Sequence, residues 1–285
     1  MQSPSLSPTP GAAPPAPPLA VHLLRALRAV VGRELHKFLR QPARLASALV
    51  RPLLWFVVFA AGFHNVFGVA IIPPYETYIE YKVYMVPGLL GMIALFNGMQ
   101  SSLSLVYDRE MGIMRLLLTA PLARGWLLGF KLLAGTTLSL VQMVVFLGIA
   151  WAFGVTFPPL HLLAALPVMV GAAVLLASLG LMLSVYVRQL ENFAGTMNFV
   201  IFPMFFISPA LYPLWKLEEA GALWLHTLAR YNPFTHAVEA MRFALEGQWN
   251  GPGLAVLLGG TLVCFALALR GYDPQRGWIR QRGAP

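Results

Sequence analysis

The chain is poor in what builds a soluble catalytic or cross-linked protein. It has a single cysteine, Cys264, set in an apolar run, so neither a disulfide framework nor a cysteine-based metal site can form. Only 11% of its 285 residues are charged, well under the quarter typical of soluble domains, while 58% are hydrophobic. No GxxxxGK[ST] loop occurs, so the usual cradle for a nucleoside triphosphate is missing, and no HExxH occurs either. The six histidines are scattered, with no pair at ligand spacing on one helix face, so no metal site is expected. The apolar runs contain no Asp or Glu, the groups on which ion-coupled transporters generally depend.

What is there is length without charge. A spanning helix needs roughly 20 mostly apolar residues. Five uncharged regions reach that length: Pro52 to Ile72, Met85 to Tyr107, Leu132 to Val187, Asn192 to Trp215 and Gly247 to Leu269. The third runs for 56 residues and is broken by GVTFPP near Gly154, so it reads as two spans joined by a turn. The expected fold is therefore an all-α integral membrane protein with six transmembrane helices over residues 45–270. Residues 1–20 are Pro- and Ser-rich, lack the basic region and apolar core of a signal peptide, and read as a disordered tail. Residues 271–285 read as a cytoplasmic tail.

Charge sets the orientation. With six spans, sixteen of the Lys and Arg residues fall on one side and four (Lys82, Lys216, Arg230, Arg242) on the other. The positive-inside rule then puts the richer side, with both termini, in the cytoplasm. The net charge of +9 is accounted for by this topology and does not call for nucleic acid. Residues 21–44 read as an amphipathic interfacial helix. Leu23, Leu24, Leu27, Val31, Leu35 and Phe38 share one face, while Arg33, Lys37 and Arg40 lie on the other, toward lipid headgroups. Such a helix is either a topology anchor or a lever that also touches a cytoplasmic partner.

One charged stretch, Tyr107 to Pro121 (YDREMGIMRLLLTAP), interrupts the apolar runs. Asp108, Arg109, Glu110 and Arg115 are costly in hydrocarbon and belong at a membrane surface, here the cytoplasmic one. On a helical wheel Tyr107, Met111, Met114 and Leu118 form an apolar stripe suited to rest on the membrane domain. Asp108, Gly112, Arg115 and Thr119 form a polar stripe suited to a protein partner, Gly112 allowing close backbone approach. Pro121 ends the helix. Within the spans, Asn97, Gln100, Gln142 and Asn198 are the candidates to line a path, or else they make interhelical hydrogen bonds.

The amphipathic helix, the run PGLLGM…FNG…YDRE…G…LLLTAP…R from Pro87 to Arg124, and YNPFTHAVEAMRFALEG from Tyr231 to Gly247 together resemble the type-2 ABC transporter permeases. The resemblance covers nearly the whole chain after the tail. It implies an exporter subunit of the bacterial inner membrane that works as a homodimer in contact with membrane lipid. A separate cytoplasmic ABC ATPase would then bind ATP and Mg, and this chain would carry no cofactor and do no covalent chemistry. It further implies that Tyr107, Asp108, Arg109, Glu110, Gly112, Arg115 and Thr119 form a coupling helix in a groove of that ATPase, along which the interfacial helix also lies. Two short helices are implied in the external segment Tyr212 to Gly251. Many family members carry a Gly-Thr pair and an acidic residue where this chain reads Met111-Gly112-Ile113-Met114. The charge-free interior favours an amphipathic or lipid-linked substrate. The alternatives from other classes are an ion-coupled secondary transporter and an integral membrane lipid transferase.

Overall fold

The computed structural model describes residues 19–40, 42–62, 68–69, 73–75, 77, 79–111, 124–187 and 189–272. The helices among them are α1 (Leu19–Leu39), α2 (Pro42–Gly62), α3 (Tyr81–Glu110), α4 (Arg124–Ala152) and α5 (Pro159–Tyr186). They continue with α6 (Leu190–Phe206), α7 (Trp215–Glu219), α8 (Leu223–Tyr231), α9 (Pro233–Leu245) and α10 (Gly251–Gly271). A two-residue antiparallel pair, β1 (Gly68–Val69) with β2 (Ile79–Glu80), precedes α3. The described residues are thus mostly helical, consistent with an all-α membrane protein.

Four of these helices are long and apolar enough to cross a membrane: α3, α4 from Gly125, α5 and α10. They match the expected second, third, fourth and sixth spans. The break predicted near Gly154 is present, with α4 ending at Ala152, α5 opening on Pro159, and Gly154 at a φ of 84°. The expected first and fifth spans depart from the reading. α2 begins at Pro42, ten residues before the apolar run, and among its described side chains Leu49–Phe59 form an apolar stretch. Helix α1 stops at Leu39 and residues 42–44 belong to α2, because Pro42 fits a first turn and Ala43, Leu45, Ala46, Ala48 and Leu49 are good helix formers. α6 is only 17 residues long, with Pro203 in its last turn and Pro209 and Pro213 just beyond. Three short helices, α7 to α9, occupy the segment where two were expected.

The core is centred on α5, which packs against α3, α10, α9 and α4. The α3–α5 crossing is set by small residues. A Cβ added to Gly98 would lie 2.8 Å from the Ala177 backbone, and one added to Gly180 would lie 2.8 Å from the Gly98 carbonyl. Only glycine lets two helix backbones approach this closely. α9 is held at the Tyr81 end of the bundle. Asn232 caps it by accepting from the Phe234 amide at 3.0 Å, and its Nδ2 donates to the Met204 and Ile207 carbonyls at 2.7 Å each. Gly247, at a φ of 75°, follows its C-terminus as the sequence predicts.

Candidate functional site

The four polar residues singled out within the apolar runs come together. Asn97 and Gln100 from α3, Gln142 from α4 and Asn198 from α6 line one cavity of about 240 Å³, closed by Pro52, Met92, Ile93, Phe96 and Met197. Asn97 Nδ2 donates to Gln142 Oε1 at 2.7 Å, an interhelical bond that ties α3 to α4. Gln142 is buried, whereas Gln100 and Asn198 are exposed.

A fifth polar residue shares the cavity, and sequence reasoning placed it elsewhere. Arg51 of α2 lines it, with its guanidinium carbon 3.8 Å from the Phe96 ring centroid. Phe96 lies fifteen residues after Tyr81 and fourteen before Glu110, so it sits at the middle of α3. At 1.5 Å per residue α3 is about 45 Å long, and the cation is about 22 Å from either end. Arg51 counted as a cytoplasmic anchor because it immediately precedes the apolar run at Pro52. The structure carries α2 through Pro52 from a start at Pro42, which draws Arg51 to the middle of its own helix. The signal was the flank PARLASALV, mostly apolar and free of any helix stop. Among the described residues no carboxylate lines the cavity, and none of the ion pairs includes Arg51.

At the Glu110 end of the bundle, the charged stretch splits. Tyr107, Asp108, Arg109 and Glu110 form the last turn of α3, and Gly112, Arg115 and Thr119 lie outside the described residues. Only Tyr107 to Met111 of the stretch are described, so the stripes of the wheel are half outside the described residues. Tyr107 and Met111 are exposed, at 45% and 57%, Asp108 and Arg109 are half-buried, and Glu110 is exposed. Each charge has a partner. Asp108 forms an ion pair with Lys131 of α4. Arg109 donates to the carbonyls of Ser184 at 3.1 Å, Val185 at 3.5 Å and Val187 at 2.7 Å, the otherwise unsatisfied C-terminal end of α5. Glu110 accepts from the Leu190 amide at 2.8 Å, the N-terminal end of α6. One turn of α3 thus clamps the junction between α5 and α6.

The amphipathic helix packs along α4. Leu23, Leu27, Val31 and Leu35 are half-buried and Arg33 and Arg40 exposed, as the pattern predicts, although Leu24 is also exposed; the Lys37 side chain lies outside the described residues. At the opposite end, a second cavity of about 250 Å³ is lined by Tyr75, Tyr84, Trp215, Glu239 and Arg242. Arg242 is fully buried, pairs with Glu239, and donates from Nη2 to the Pro209 carbonyl at 2.6 Å. Burial works against its charge, but the Glu239 carboxylate and the Tyr84 and Tyr75 hydroxyls outweigh it, and its pKa is raised. Burial is also what pushes the Tyr75 hydroxyl up to about 12, against the lowering effect of Arg242. Glu239 and Arg242, three apart on one helix face, thus pair locally, and Tyr84 of α3 adds a contact that no local pattern could reveal.

A helical bundle with a polar cavity beside the middle of α3 and charged residues gathered at one end has recognisable relatives. Residues 25–245 match the ABC-2 type transporter family. The chain belongs to that family. It is 29% identical to ycf38 of Pyropia yezoensis, named as a transport permease, over 85% of this chain and 81% of that protein. It is 24% identical to the daunorubicin resistance ABC transporter permease protein DrrB1 of Streptomyces coeruleorubidus, over 88% and 84%. It is also 25% identical to the inner membrane transport permease YadH of Escherichia coli (strain K12), over 85% and 91%. As an ABC-2 member, the chain is a multi-pass transport permease subunit, and the family implies an ABC ATPase partner.

Proposed function

We propose that this chain is the membrane half of an ATP-driven exporter that moves an amphipathic or lipid-linked substrate through the cavity lined by Asn97, Gln100, Gln142 and Asn198. The observation that carries the reading is the convergence of these four residues, from three helices, with Arg51 at the mid-height of α3. A polar cluster at that depth is costly unless it serves a path. The working unit is a homodimer of six-span subunits in a bacterial inner membrane, with both termini cytoplasmic. A separate cytoplasmic ATPase binds ATP and Mg. Coupling runs through the helix from Tyr107 to Thr119, and α1 lies along the same partner. The clamp supports this route: force applied beyond Glu110 reaches α5 and α6 through Arg109 and Glu110, and α6 carries Asn198.

The decisive experiment reconstitutes the permease with its copurified ATPase in sealed vesicles and follows accumulation of a fluorescent amphiphile. Transport should need ATP and stop with vanadate. Undiminished transport in ATP-depleted vesicles would overturn the reading. Replacing Asn198 by Leu should lower transport severalfold without loss of ATPase association.

A further inference from the structure

We propose that the ligand of the mid-height cavity is an anionic amphiphile, its carboxylate or phosphate held by the Arg51 guanidinium and its hydrocarbon part lying along Met92, Ile93 and Met197. This rests on reading the cavity as the translocation path and adds the sign of the charge carried. Three observations lead to it. First, Arg51 lies halfway along α2 with its guanidinium against Phe96 at the middle of α3, and its side chain is exposed and open to a ligand. Second, its guanidinium is stacked on Phe96 at 3.8 Å, which fixes the plane and leaves the N–H edge available. That edge is a rigid fork of donors matched to two oxygens of one anion. Third, the cavity supplies no counter-charge, since the other polar lining groups are the neutral amides of Asn97, Gln100, Gln142 and Asn198.

A cation set among apolar and neutral amide groups, with no carboxylate among the described lining residues, favours an incoming anion. The amides can add donors to the same headgroup without neutralising it. Met92 and Met197 are flexible and polarisable, suited to tails of varied shape. A neutral or cationic amphiphile would leave Arg51 uncompensated, so selection by charge follows from the lining.

The test uses the full chain in nanodiscs of neutral phosphatidylcholine. The probes are 11-(dansylamino)undecanoate and its uncharged methyl ester, with dansyl emission as the readout. Wild type should bind the carboxylate at least about tenfold more tightly than the ester, the factor expected of a charge-assisted hydrogen bond. Arg51→Gln should bring the two affinities together, Arg51→Lys should keep most of the difference, and Arg270→Gln on α10 should leave it intact. Acetate should fail to displace the probe; displacement by acetate would mean a small-anion site and overturn the amphiphile. Equal binding of both probes by wild type, or a preference that survives Arg51→Gln, would overturn the proposal. Should Arg51→Gln fail to assemble by size exclusion, Phe96→Leu takes its place. It should weaken the carboxylate and spare the ester, and the opposite result counts against the proposal. ATP-independent transport with the charge preference intact strikes the exporter reading alone. ATP-driven transport with a preference indifferent to Arg51 strikes this proposal alone.

Discussion

Arg109 and Glu110 are sequence neighbours of opposite charge that serve opposite ends of two other helices. Arg109 meets the negative end of α5, where three carbonyls lack intrahelical partners, and Glu110 meets the positive end of α6. Reversing the pair would set each charge against the wrong pole. A hydrogen bond to a charged group is worth about 1.5–3 kcal/mol, so Arg109→Ala should cost about that much of unfolding free energy. Glu110→Ala should cost less, because its side chain is exposed. A thermal melt of the purified protein followed by tryptophan fluorescence measures both. Arg109→Lys should recover only part of the loss, since an ammonium cannot fork across several carbonyls. If Arg109→Ala melts with the wild type, the clamp contributes nothing. At this scale the sequence was informative about which residues matter and silent about what they touch. Asp108, Arg109 and Glu110 stand out because charge is rare beside an apolar run, but their partners lie 23 to 80 residues away.

The helices α3 and α5 behave as one element because Gly98 and Gly180 remove the side chains that would hold them apart. Gly98→Ala would drive a methyl into the Ala177 backbone, which cannot move aside as a side chain tip can. Such overpacking should cost about 1–3 kcal/mol, and Gly180→Ala a similar amount. The double variant should be less destabilised than the sum, because the first helix shift relieves both clashes. An additive result would mean that the two glycines do not share one contact. Element boundaries were legible where length and hydropathy agree, as in α3, α4, α5 and α10. They failed at α2, where a proline marked no boundary because the residues before it are equally helical. They failed again at α6, where three prolines shorten an apolar run that composition alone would carry across the membrane. The caps at Asn232 and Gly247 were readable because capping chemistry is local.

On the scale of the whole molecule, apolar side chains are exposed on several helices, α2 and α6 among them. Phe199 and Phe202 of α6 are exposed, at 79% and 47%, as are Leu54 and Val58 of α2, at 57% and 54%. These helices also line the mid-height cavity, so the proposed homodimer is expected to meet along them with the path between the copies. Cys264 is the sole cysteine, so a Cys264→Ser background permits a clean test. Phe199→Cys should form a disulfide-linked dimer under mild oxidation in native membranes. Leu262→Cys on α10, 71% exposed on an element that does not line the cavity, should remain a monomer. Cross-linking confined to Leu262→Cys would place the contact on α10.

The glycine crossing has a mechanical corollary. Two rods fused at a single point of backbone contact, with α9 and α10 packed against one of them, make a stator. A stator cannot supply a stroke. Under the proposed function, the displacement that empties the cavity is expected from α2 and α6, the walls that carry Arg51 and Asn198, with the last turn of α3 passing force to α6 through Glu110.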